Sequence, residues 1–158
     1  MTRKVIFVDE IESKNDQAET PLGTAIKMQN WQIADLLISK GADINTIGMN
    51  GNTPLTRSAY DGKLESVKYC LKQRKCDLHA RNIAGETALI IAVKQKYFAV
   101  AEYLIKEHGA SIEDKDELGN NALLFGAMMN HMPTVKFAIE VGKANVDATN
   151  NWGTTAVM

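Results

Sequence analysis

The chain has 158 residues, 45% of them hydrophobic, and a net charge of −1 at pH 7. That supplies a core for one folded domain and argues against disorder, while the near-neutral balance gives no basic stripe for nucleic acid. Two cysteines, Cys70 and Cys76, are too few for a disulfide framework and fit a reducing, cytoplasmic compartment, and no apolar run reaches the roughly eighteen residues of a membrane span.

The opening "MTRKVIFVDEIE" has only the four apolar residues Val5–Val8 before its acidic pair, too short for the apolar region of an export signal. Residues 1–14 fit no later pattern and are expected to cover the first unit as a short strand or loop, or to be a fragment of something upstream.

From Thr20 onward one phrase recurs. Thr20, Thr53, Thr87, Asn121 and Thr155 fall at intervals of 33, 34, 34 and 34. Leu22, Leu55, Leu89 and Leu123 keep the same beat, as do the small residues Ala25, Ser58, Ala92 and Gly126. Trp31, Leu64, Phe98 and Met132 form a bulky column, and Ile38, Leu71, Ile105 and Ile139 an aliphatic one. Self-similarity at this period signals stacked units. The boundaries are expected at 15–48, 49–82, 83–116 and 117–150, with 151–158 as the start of a truncated fifth unit.

Within a unit the phrase "GNTPLTRSA" (51–59) reads as turn, cap and helix. Gly51 suits a tight turn with positive φ. The Thr53 hydroxyl can accept an orphan amide at a helix start, and Pro54 suits the first helical position. A second helix follows in each unit; Ile33, Ala34, Leu37 and Ile38 set its apolar face between about Trp31 and Lys40 at helical spacing. Gly41, Gly109 and Gly142 are expected to end these helices in a left-handed conformation, whereas "KQRKCD" (72–77) carries no glycine and predicts a less clean end. Helices of this length are marginal alone, so the units have to stack, and the small column lets their helices approach closely.

"NGNTPLTRSAYDGKLESVKYCL" (50–71) and "NWQIADLLISKGADIN" (30–45) resemble the ankyrin repeat, and the resemblance runs from about Asn15 to Met158. It implies an all-α repeat solenoid of helix-turn-helix units with β-turn fingers, about four units and the start of a fifth. Two departures stand out. Ala18 occupies the place of the turn glycine in the first unit, so an irregular leading finger is expected. The chain stops at Met158, one turn into a helix, for which a cut from a longer array is the favoured expectation over an exposed end.

Residues able to carry catalysis are sparse. No two of His79, His108 and His131 share a helix face as a zinc pair would. His131 reads as a structural residue between two helices, and Cys70 as a small buried hydrophobe. The acidic run "EDKDE" (113–117) reads as a solvated finger tip, and no phosphate-cradling glycine motif is present. No catalytic, cofactor-binding or metal-binding residue is assigned, and enzyme activity is not expected.

Family members mostly bind other proteins through finger tips and a concave face. Carried onto this chain, the resemblance implies partner contacts at Met28, Met49, Asn50, Tyr60, Asp61, Ile83, Lys94, Gln95, Glu117, Leu118, Met128, Met129 and Trp152. Ile83 and Leu118 could instead pack against neighbouring fingers. The expected function is a non-enzymatic protein-interaction module, monomeric, with an unidentified protein partner and neither nucleic acid nor membrane. The alternative is a scaffold segment of a longer protein whose activity lies elsewhere.

Overall fold

The computed structural model describes residues 8–157; of the segment expected to cover the first unit as a strand or loop, residues 1–7 lie outside the described residues, and the stretch from Val8 begins as a helix instead. A one-turn helix, α1 (Val8–Ile11), leads in, and Ile11 is buried against the first unit. Four helix pairs follow: α2 (Pro21–Lys27) with α3 (Trp31–Ser39), α4 (Pro54–Tyr60) with α5 (Leu64–Lys72), α6 (Ala88–Lys94) with α7 (Phe98–His108), and α8 (Ala122–Met128) with α9 (Met132–Glu140). Among the described residues the only β-type pairing is an isolated antiparallel bridge between Thr149 and Thr155. The fold is therefore an all-α array of about four paired units.

The caps explain why each inner helix starts where it does. The side chains of Thr20, Thr53, Thr87 and Asn121 accept from the backbone N–H groups of Gly23, Thr56, Ile90 and Leu124, three residues on. Thr53 and Thr56 form a reciprocal capping box, with the Thr56 hydroxyl accepting from the Thr53 N–H at 2.8 Å. Between the two helices of every unit one residue turns left-handed: Gln29, Gly62, Lys96 and Asn130, at φ of 50–69°. Only Gly62 is a glycine, because a Cβ there would lie 2.6 Å from the Tyr97 ring.

The repeat columns meet in one continuous core. Leu22, Leu55, Leu89 and Leu123 are buried, and each contributes up to about 1.5–3 kcal/mol of transfer free energy. Ala92 is fully buried, and Gly126 sits where a Cβ would approach the Val135 N at 2.9 Å. Each inner helix packs against its own partner and against the inner helix of the adjacent unit.

Two further local expectations are corrected. Gly142 does not take the left-handed stop; Lys143 does, at φ 58°, in register with Gly109 at 68°. Gly142 is small for another reason, since a Cβ would come within 2.5 Å of Ile112 Cγ1. The first finger is regular: Ala18 adopts φ 55°, and Asn15 Oδ1 accepts from the N–H groups of Gln17 and Glu19. Asn82, Asp116 and Asn150 hold their fingers by the same pair of bonds. The irregular finger is the second. Gly48 replaces the asparagine or aspartate there, and Asn50 and Gly51 both take positive φ, 58° and 73°. The Asn52 N–H donates to the Met49 carbonyl across them at 3.1 Å. Paired positive φ at Asn-Gly is the signature of a type I′ turn. The expected untidy end of the second unit's outer helix is present: Gln73 leaves α5 in an extended conformation.

Candidate functional site

The fingers are joined to one another by main-chain bonds. The N–H groups of Ile83, Glu117 and Asn151 donate to the carbonyls of Asn50, Ala84 and Leu118, each at 3.1 Å. No such bond joins the first finger to the second among the described residues. A side-chain series runs alongside, in which Lys14, Arg81 and Lys115 each donate to a carbonyl of the following finger, at Ile47, Lys115 and Thr149. Ile47 stands where the second unit's cation would be, so the series is interrupted there.

The finger bases and the ends of the inner helices lie side by side. Ion pairs Glu19–Lys27, at 2.8 Å, and Glu86–Lys94 tie the two regions together in the first and third units. Of the expected partner residues, Lys94 is thereby held against a finger base, and Met28 directly follows the lysine held in the same way in the first unit. Met28, Met49, Tyr60, Ile83, Leu118, Met128, Met129 and Trp152 are exposed, from 46% for Met49 to 71% for Met28. Such values leave Ile83 and Leu118 unburied by neighbouring fingers. Asn50, Gln95 and Glu117 are also exposed. Asp61 and Lys94 are not free: Asp61 pairs with Arg57 at 3.2 Å, and Lys94 pairs with Glu86 while its ammonium lies 4.6 Å from the centre of the Phe125 ring. Both hold the flank together and present less to a partner than the apolar row does.

The candidate chemistry resolves into packing. His131 Nδ1 lies 2.8 Å from the Thr134 hydroxyl and caps α9, and its ring stacks over Phe98. His108 Nε2 is 3.2 Å from the Tyr103 hydroxyl. In the acidic run, Glu113 accepts from the Asn145 N–H and the Asn121 side chain, bracing the next unit. Both cysteines are free thiols, Cys70 buried and Cys76 half-buried. Burial raises both above their ordinary value, and for Cys76 the result is about 12. Among the described residues no cluster of histidine, cysteine and carboxylate could hold a metal ion, and no helix is long and apolar enough to cross a membrane.

Sequence reasoning passed over a cavity between the first and second units. It is lined by Gly23, Gly48, Asn52 and the charged side chains of Lys27, Arg57 and Lys63. The signal was present in one column, where Thr56, Ile90 and Leu124 stand in register with Gly23.

Comparison with known proteins agrees with this architecture. Residues 45–116 match a family model described as ankyrin repeats in three copies, and residues 18–46 match a model of a single ankyrin repeat. A Rickettsia bellii protein named for its ankyrin repeats is 35% identical over 60 residues, covering 38% of this chain and 36% of that protein. Alpha-latroinsectotoxin-Lt1a of Latrodectus tredecimguttatus is 32% identical over 94 residues, covering 59% of this chain and 7% of the toxin. The chain thus spans about a third or less of the length of these curated relatives. A crystal structure of an ankyrin repeat protein superimposes with a TM-score of 0.77 at 27% identity, covering 92% of this chain and 75% of that one.

Proposed function

The chain belongs to the ankyrin repeat family, and from that premise we propose that it is a non-enzymatic module that binds another protein across its finger tips and concave face. One observation carries the reading. Eight large apolar side chains at the expected contact positions stand exposed, and they fall in four columns of the repeat: Met28 with Met129, Tyr60 with Met128, Met49 with Ile83, and Leu118 with Trp152. Contiguous exposed apolar surface tends to mark an interaction site. Tyrosine and tryptophan are typical anchors of such sites, and methionine adapts to partner shape. Tyr60 is further oriented by Arg57, whose guanidinium carbon lies 5.6 Å from the ring centre. The free thiols at Cys70 and Cys76 support a reducing, cytoplasmic setting.

The test is alanine at Tyr60, Met128 and Met129 together, followed by capture from native lysate. Loss of specific partners is expected. Unchanged capture of every partner would defeat this reading. The scaffold alternative draws support from the small share of the longer relatives that this chain spans. It is distinguished by partners that survive this triple substitution and still require the folded array.

A further inference from the structure

Three of the four outer helices close in the same way, and the second unit is the exception. The N–H groups of Ala42, Ala110 and Ala144 donate back to the carbonyls of Leu37, Leu104 and Ala138 at 2.9–3.0 Å. In each case the residue before the alanine is left-handed: Gly41, Gly109 and Lys143. A closing bond of this kind brings the side chains at its two ends into contact. In the second unit the same two places hold Cys70 and Cys76, the only cysteines of the chain. Lys75, before Cys76, is not left-handed, and the closing bond is not made. The Cys76 N–H donates to the Gln73 carbonyl at 2.9 Å instead, and the Gln73 N–H to the Cys70 carbonyl at 3.0 Å.

Packing alone does not call for sulfur at either place. Leucine or alanine fills the first in the other units, and alanine fills the second. Cys70 is buried in the core and Cys76, half-buried, packs against it. Charge on Cys76 would make Cys70 harder to ionise, as expected of neighbours. A main-chain bond keeps the Cα atoms of a hydrogen-bonded strand pair about 5.5 Å apart, and a disulfide spans roughly 4.4–6.8 Å. The three closed units therefore show that these two places approach within the span of a disulfide. The second unit lacks the main-chain fastening and carries a thiol at each end of it.

We infer that Cys70 and Cys76 form an oxidation site, at which a hydroperoxide joins them as a disulfide that fastens the open end of α5. The inference stands apart from the protein-binding reading above. Burial raises both thiols, so neither reacts while this end stays packed. Opening at the unfastened end admits the oxidant to Cys76 first, the less buried of the two. The Cys76 sulfur attacks one peroxide oxygen and the O–O bond breaks. This leaves a sulfenic acid on Cys76 and an alcohol, which takes the Cys76 proton. The Cys70 sulfur then attacks the Cys76 sulfur. The S–S bond forms, the S–O bond breaks, and the hydroxyl leaves as water with the Cys70 proton. Two thiols are oxidised and one hydroperoxide is reduced. In a reducing compartment such a bond is transient and reports an oxidising episode.

Two measurements test this. In the first, the folded, fully reduced chain is treated with hydrogen peroxide, its remaining thiols are alkylated, and the product is cut after lysine and arginine. Lys72, Arg74 and Lys75 lie between the two cysteines, so only a disulfide keeps Tyr69–Lys72 and Cys76–Arg81 together. That joined pair is expected in a monomeric product, and dithiothreitol should release it. Separate peptides, or chains joined to one another, overturn the inference. The second measurement distinguishes a pair held by the fold from two cysteines that are merely close in sequence. The dithiol–disulfide equilibrium is read in glutathione buffers, with the chain folded and with it unfolded in urea. A disulfide that fits the fold is favoured by folding as much as it stabilises the fold, so a preference roughly tenfold or more stronger in the folded chain is expected. An equal or weaker preference overturns the inference. Cys76→Ala installs the residue of the other three units and is the folding control. It should melt close to the reduced wild-type chain and leave Cys70 unoxidised by peroxide. A Cys70-linked dimer in that variant would overturn the order of attack.

Discussion

The backbone N–H of Ile83 donates to the carbonyl of Asn50 at 3.1 Å, joining the third finger to the type I′ tip of the second. Gly51 makes that contact possible. A Cβ at Gly51 would lie 2.8 Å from the Ile83 nitrogen, and its φ of 73° is left-handed as well.

Gly51→Ala should therefore lose stability twice, through backbone strain of about 1–2 kcal/mol and through displacement of Ile83. Gly153, also left-handed at φ 75°, has no atom within 4 Å of an added Cβ. Gly153→Ala should show the strain alone. Urea unfolding of the two variants checks this, and equal losses would contradict it.

Thr53→Ala removes one side of a capping box whose hydroxyl accepts from the Thr56 N–H at 3.3 Å. A loss of roughly 0.5–2 kcal/mol is expected. Lys63, the residue before α5, makes no side-chain cap bond. Lys63→Ala removes its ammonium's bond to the Lys27 carbonyl at 2.6 Å, so any loss there reports that bond and not a cap. Denaturant midpoints at matched slopes measure both.

Ala92 is fully buried in the small column between helix pairs. Ala92→Leu inserts three carbons into a filled site and should cost about 1–3 kcal/mol by overpacking. Met128→Leu, at a position 62% exposed, should change stability by less than about 0.5 kcal/mol.

Burial raises the Cys70 thiol above its ordinary 9.0, with the nearby Cys76 adding to the effect. Below pH 9 both folded and unfolded states hold the proton, so this contribution is fully present. Above it the unfolded chain releases a proton that the folded chain keeps, and stability falls as pH rises. The slope approaches about 1.4 kcal/mol per pH unit for each such thiol. Cys70→Ala should show a shallower alkaline loss than the wild-type chain, measured by urea unfolding from about pH 8 to 11. Parallel curves would contradict the assignment.

The architecture was legible because its signal is redundant. Thr53, Pro54, Leu55 and Ser58 each mark the same helix start, and three further units repeat most of these marks at a spacing of 33 or 34. Single-residue conformations were less legible. Gly142 looked like a helix stop because glycine favours left-handed backbone, yet glycine also serves close approach, and here Ile112 decides. Ala18 looked like a defect because it is not glycine, yet Asn15 supplies two bonds that hold its turn. The apolar row could be read from repeat register, but the engagement of Lys94 depended on Glu86 and Phe125 in other elements. The cavity was legible only as a missing side chain at Gly23.

Each inner helix touches its own partner and the neighbouring inner helix, so these contacts reach no further in sequence than the adjacent unit. The loop that must close before any such contact forms is therefore the same length at either end of the array. Because closure entropy grows with loop length and folding slows as contacts become more distant in sequence, the entropic barrier to assembly is set by the size of one unit. Lengthening the array adds further closures of that same size and no larger ones.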